Sequence, residues 1–164
     1  MRHAITLRVN GEAVPVEVEP VESLLDVLRT RVGVTSPKAG CERGDCGACS
    51  VLLDGRTVRS CLVLAVEVDD HEVVSVEGLG SEGLTALQRT LIERSAFQCG
   101  YCAPGVILSA AELLATNPRP NRHEVQEALS GNLCRCTGYA PIVDAVLAAA
   151  ASEVPVPAAA AQEV

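Results

Sequence analysis

The sequence predicts an α+β fold in two parts: a strand-rich first half with one helix, and a second half of four helices. Apolar residues alternate with period two as far as about residue 78 and recur at helical spacing after it. The two-residue hairpin signals, Asn10-Gly11 and Asp54-Gly55, both lie in the first half. The eight cysteines also divide, four to each half.

In the first half, "AITLRV" (4–9) and "EAVPVEV" (12–18) alternate on either side of Asn10-Gly11, the signature of a type I′ hairpin. Pro15 has no N–H for the ladder, so the second strand belongs at an edge or carries a bulge. "ESLLDVLRTRVG" (22–33) sets Leu24, Leu25 and Leu28 at helical spacing and ends on Gly33, a C-cap residue. "SVLLDGRTVRS" (50–60) predicts a second hairpin, and "EVVSVEG" (72–78) a short last strand.

The second half predicts helices over "LTALQRTLIERSA" (84–96), "APGVILSAAELLATN" (103–117), "NRHEVQEALSGN" (121–132) and "GYAPIVDAVLAAAASE" (138–153). Pro104 suits a first turn. Asn121 is a cap and Gly131 a stop. Short connections between four helices imply a bundle. The expected units are therefore 1–78 and 79–153. The tail 154–164 lacks a packing stripe and is expected to be disordered, although its alanines leave a frayed helical end open.

Aromatic residues make up only 2% of the chain, so its core must be built from Val, Leu, Ile and Ala. A net charge of −8 and the lack of a basic stripe exclude a nucleic-acid surface; the expected partner is protein. The first residues alternate where a secretory signal would carry a long apolar run, and no stretch reaches the ~18 apolar residues of a membrane span. A cytoplasmic chain is expected. In that compartment grouped cysteines point to metal or catalysis, with four disulfides in an exported protein as the alternative.

The first cysteine group is Cys41, Cys46, Cys49 and Cys61, spaced C-x4-C-x2-C-x11-C. Its core, "GCERGDCGACS" (40–50), puts three thiols and three glycines into one short loop. A [2Fe–2S] rhomb is larger than a single ion and has bridging sulfides that need hydrogen-bond donors. Bare glycines let backbone N–H groups approach those sulfides and allow positive φ. The spacing is that of plant-type [2Fe–2S] ligation, with Cys61 delivered from the far end of the following hairpin. Structural zinc is the competing reading, although its sites favour paired short hooks.

The second group is Cys99, Cys102, Cys134 and Cys136, spaced C-x2-C-x31-C-x-C. "QCGYCAPG" (98–105) and "LCRCTGY" (133–139) each deliver two thiols just before a helix, where free N–H groups and the helix dipole favour negative charge. Four thiolates on two helix starts suit a second [2Fe–2S] cluster and would also suit zinc. A redox dithiol at "CGYC" (99–102) is a third reading, but such motifs follow a strand in a βαβ unit.

These residues resemble a known family. "GCERGDCGACSVLLDG" (40–55), "SCL" (60–62), "FQCGYCAPG" (97–105) and "GNLCRCTGYAPI" (131–142) are similar to the iron–sulfur subunit of the molybdenum hydroxylases. That family includes xanthine dehydrogenase, aldehyde oxidoreductase and aerobic carbon monoxide dehydrogenase. The likeness covers roughly residues 4–152 and puts all eight cysteines in motif positions. Glu42 departs from it, standing where many relatives carry glycine.

The resemblance implies an N-terminal β-grasp ferredoxin domain and a C-terminal four-helix domain, each with one [2Fe–2S] cluster. It implies an electron-transfer subunit, with molybdopterin on a large partner and FAD on a medium partner. A chain of 164 residues has room for neither of those large domains. The expected assembly is a hetero-oligomer, a dimer of heterotrimers being one form. By the family pattern Gln98 hydrogen-bonds the pterin and Cys136 is the ligand nearest it. A free-standing two-cluster ferredoxin is the alternative.

Other residues carry less. His3, His71 and His123 are too scattered to form a site. Arg29 and Arg31 suggest a wet helix face. Arg135 either steadies an anionic cluster or faces solvent, and Tyr101 and Tyr139 read mainly as packing. No nucleophile–base pair or phosphate loop stands out, so no substrate chemistry is expected on this chain.

Overall fold

A computed structural model of the chain describes residues 2–80 and 83–152. The strands are β1 (His3–Val9), β2 (Glu12–Val18), β3 (Ser50–Leu53), β4 (Arg56–Arg59) and β5 (Glu72–Val74). They form one mixed sheet in the order β2-β1-β5-β3-β4, in which only β1 and β5 run parallel. Both hairpin turns are as expected: Asn10 and Gly11, like Asp54 and Gly55, have positive φ. Pro15 sits in β2, an edge strand, where its missing N–H costs no ladder bond.

The sheet wraps helix α1 (Leu24–Val27), which continues as a π-helical turn over Leu28–Val32 and stops at left-handed Gly33. Leu24, Leu25, Val27 and Leu28 are at most 1% exposed, and Leu24, Val27 and Leu28 pack with Leu7, Val9, Val18, Val51 and Val73. This is the β-grasp arrangement. Arg29 is no wet helix residue: its guanidinium donates to the carbonyls of Thr35 and Pro37, each at 2.7 Å, and so ties down the chain leading into the first cysteine loop.

The helices are α2 (Ala86–Glu93), α3 (Ala103–Thr116), α4 (Arg122–Leu129) and α5 (Ala140–Ala151). Thr85 with Gln88, and Asn121 with Glu124, form complete capping boxes at α2 and α4. Gly131 is not the expected left-handed stop, because α4 already ends at Leu129 and Ser130 stays right-handed. A Cβ on Gly131 would lie 2.3 Å from the Arg59 guanidinium, so the glycine serves a close approach between the two halves.

The helical core of Leu87, Leu91, Val106, Leu108, Leu129, Ile142 and Val146 also takes in Leu52 from β3. Successive strand residues point to opposite faces. Val51 therefore serves the β core and Leu52 the helical one. No helix among the described residues is long and apolar enough to cross a membrane. The expectation for the tail 154–164 lies outside the described residues.

Candidate metal centres

All eight cysteines are free thiols. Within the first loop the Cys46 N–H donates to Cys41 Sγ at 3.4 Å. Cys61, arriving after β4, shares a thiol hydrogen bond with Cys49 and accepts the Gly44 N–H. Ser60 secures that arrival: its N–H and its hydroxyl both donate to the Cys49 carbonyl, the hydroxyl at 2.6 Å. Sequence reasoning passed over Ser60. The signal was its place beside Cys61 in a strand end that must fold back.

In the second group the Cys136 and Cys99 sulfurs lie 3.6 Å apart, and Cys102 hydrogen-bonds Cys134. Cys102 is itself the N-cap of α3. Tyr139 packs against the helical core, as expected, and its hydroxyl also organises the other hook. Its hydroxyl accepts the Cys134 N–H at 2.9 Å and donates to the Asn132 carbonyl at 3.1 Å. Gln98 donates to the Cys136 carbonyl at 3.1 Å, so those two residues are brought together. Arg135 is exposed.

Among the described residues no three His, Cys, Asp or Glu side chains converge on a single-ion site. The thiols come instead in pairs, 41 with 46, 49 with 61, 99 with 136 and 102 with 134. Two pairs per group match the two thiolates that each iron of a [2Fe–2S] cluster takes.

The electrostatics agree. The N–H groups of Arg43 and Cys46 pull the Cys41 thiol from 9.0 to about 7. The Tyr101 N–H and the Cys136 thiol hold Cys99 below the ordinary thiol value, while that same contact raises Cys136. Burial opposes ionisation of Cys134, but the Thr137 hydroxyl and the Cys136 and Thr137 N–H groups outweigh it and lower its pKa. Burial, with the neighbouring Cys134, pushes Cys102 up to about 12; burial and Cys49 push Cys61 up to about 11. Each pair of the second group thus joins one thiol whose ionisation its surroundings favour to one whose ionisation they oppose. A bound cation displaces the remaining proton. The helix start at Cys102 does not by itself keep that thiol ionised, because desolvation is the larger effect.

Two loop glycines are dictated by closeness. A Cβ on Gly40 would sit 2.8 Å from Cys46 Sγ. One on Gly47, whose φ is +72°, would sit 2.4 Å from the Gly131 carbonyl. Glu42 takes φ +55°, a conformation that costs a residue with Cβ about 1–2 kcal/mol.

The two ligand loops touch directly. The Leu133 N–H donates to the Cys46 carbonyl at 2.9 Å, one residue before Cys134. Asn132, 1% exposed, donates to the Gly47 carbonyl at 3.2 Å and accepts from Ser109 at 2.8 Å.

The 2Fe-2S iron-sulfur cluster binding domain family matches residues 7–90, and the [2Fe-2S] binding domain family matches residues 75–147. The nicotine 6-hydroxylase small subunit of Paenarthrobacter nicotinovorans is 50% identical, over 89% of this chain and 88% of that one. The nicotinate dehydrogenase small FeS subunit of Eubacterium barkeri is 48% identical, over 87% and 91% respectively. Among solved structures, quinoline 2-oxidoreductase from Pseudomonas putida 86 superposes with a TM-score of 0.87 at 47% identity, covering 91% of this chain and 94% of that chain.

Proposed function

The chain belongs to the [2Fe–2S] small subunits of the molybdenum hydroxylase family, and on that premise we propose that it relays single electrons through two clusters, from a molybdopterin site on a large partner to FAD on a medium partner. It is an iron–sulfur subunit of an oxidoreductase complex. Cys41, Cys46, Cys49 and Cys61 would hold one cluster, and Cys99, Cys102, Cys134 and Cys136 the other. When bound, each cluster supplies a one-electron acceptor that can also serve as donor.

The chain's own residues hold and connect these centres. Gln98 fixes the backbone at Cys136 and would offer the remainder of its amide to the pterin. Cys99 and Cys136 are the exposed thiols of the second group and would face the molybdopterin partner. The Leu133–Cys46 hydrogen bond is the single observation that carries the relay: it joins the carbonyl of one ligand of the first set to the residue next to Cys134 in the second. Substrate choice would lie with the large partner, since relatives named for nicotine and for nicotinate share this chain at similar identity.

The test is elemental and kinetic. Anaerobically isolated complex should hold about four irons and four acid-labile sulfides per small subunit, as two clusters require, and show two distinct EPR signals on reduction. Rapid-freeze samples taken after substrate addition should show both signals forming before the flavin is reduced. Zinc in place of iron, or flavin reduced while both centres stay oxidised, would overturn the relay.

A further inference from the structure

Arg59 is a half-buried cation with no carboxylate within 4 Å among the described residues. Its two hydrogen bonds go to neutral acceptors, Ser50 Oγ at 2.7 Å and the Gly131 carbonyl at 2.7 Å. A charge taken out of water without a counter-charge is costly, so its surroundings must repay that cost. Those surroundings are the two ligand loops. Ser50 follows Cys49, is fully buried, and passes the donor chain on to the Gly47 carbonyl at 2.7 Å. Gly131 opens the stretch that leads to Cys134, and a Cβ there would lie 2.3 Å from the Arg59 guanidinium and displace it. The guanidinium also borders an open groove of about 560 Å³ shared with Arg56, Thr57, Glu112 and Thr116. There Glu112 is engaged by the Thr57 N–H at 3.0 Å.

We propose that Arg59 is a positioning residue whose fork locks the two ligand loops together and whose unpaired charge is the counter-ion that favours the reduced state of the first cluster. This rests on the two-cluster reading given above. A loaded cluster with four thiolates carries net negative charge, and each electron it accepts adds another. A fixed cation hydrogen-bonded to the residue after Cys49 lowers that cost, more for the first centre than for the second.

The test uses the assembled complex carrying Arg59→Gln or Arg59→Lys, with iron and sulfide assayed before anaerobic EPR-monitored titration. In Arg59→Gln the first centre should become about tenfold harder to reduce, which is 59 mV downward for a one-electron couple, with a smaller shift at the second. Arg59→Lys, which keeps the charge and loses the fork, should stay within about threefold of wild type. Equal shifts in both variants, or none in either, would overturn the role of the charge. Should Arg59→Gln fail to take up iron, Thr116→Glu on the exposed rim of the same groove replaces it. A carboxylate added to that groove offsets the Arg59 charge and must also lower the first midpoint; an unmoved midpoint overturns the proposal. Wild-type complex lacking iron would overturn the cluster reading itself, a result separate from any shift in midpoint.

Discussion

Gly105→Ala tests the contact that holds the two ligand loops together. Gly105 lies in the first turn of α3, three residues after Cys102. An added Cβ would come within 2.2 Å of the Gly47 carbonyl oxygen and 2.9 Å of Asn132 Nδ2, where ordinary contact begins at 3.4 Å. The nearer group is backbone and cannot swing aside, so the loop and the helix must part by roughly 1 Å. The Asn132–Gly47 bond at 3.2 Å and the Leu133–Cys46 bond at 2.9 Å span that same seam. Losing both costs about 1–3 kcal/mol at the buried Asn132 amide and about 0.5–1.5 kcal/mol at Leu133, which is 58% exposed, and the better helix propensity of alanine returns about 1 kcal/mol. The net loss is about 2 kcal/mol, which at about 2–4 °C per kcal/mol for a chain of this size lowers Tm by about 4–8 °C. Calorimetry of the assembled protein measures that drop, and hydrogen exchange at the Leu133 amide should rise with it. A Tm within about 2 °C of wild type, a shift worth under 1 kcal/mol, with Leu133 still protected, would refute the reasoning.

Three further outcomes follow from the same structure. Cys46→Ser should remove one of two EPR signals and block flow to flavin; retention of both signals with full turnover would show that Cys46 is no ligand. Gln98→Ala should keep both clusters and slow their reduction by the molybdenum site, and unchanged internal transfer would remove its role at the pterin. Glu77 ties Ser36 to Ser75, accepting the Ser75 hydroxyl at 2.6 Å; burial opposes its charge, but the two hydroxyls outweigh burial and hold its carboxyl below the ordinary 4.5. A depressed folded pKa contributes stability above the unfolded value that is lost as pH falls through the folded one. Glu77→Gln should therefore lower Tm at pH 7, and the gap should close in calorimetric scans run below about pH 4.5; a gap constant with pH would count against the charge.

Both hairpins, Pro15 at an edge and the capping box begun by Asn121 were legible, because each is fixed by residues within a few positions. The cysteine groups were legible through their spacing alone. The pairing of thiols was not, because it depends on where β4 releases Cys61 and where α3 and α5 begin. The roles of Gly131, Gly105 and Arg59 were hidden for the same reason. Gly131 reads locally as a helix stop, and only the packed halves reveal that Arg59 fills the space beside it. Tyr139 packs against the helical core as expected, but its bonds to Cys134 and Asn132 were not legible, because they depend on a left-handed turn at Tyr139 itself, with φ +68°. No side-chain pattern announces such a turn.

The exposure of the thiols follows an order that suits a conduit. Cys99 and Cys136 are open, Cys102 is 7% exposed and Cys49 only 2%. Beyond Cys61, Leu62 is 61% exposed and so leaves an apolar residue at the opposite end of the series. Under the proposed relay the open ends meet partners and the sealed middle carries the electron. Sealing has a consequence: with water excluded at the Gly47–Gly105–Asn132 seam, any charge nearby acts through a lower effective dielectric than it would at the surface. Two anionic centres brought together there would repel one another strongly. The seam offers backbone N–H groups, one asparagine amide and one arginine, and of these only Arg59 brings a full positive charge. Moving that single charge should alter the cluster potentials more than removing any exposed arginine of the chain, and Arg135→Gln, exposed between two ligands, is the comparison that decides it. If Arg135→Gln shifts the first midpoint as far as Arg59→Gln does, exclusion of water at the seam is not what sets the field.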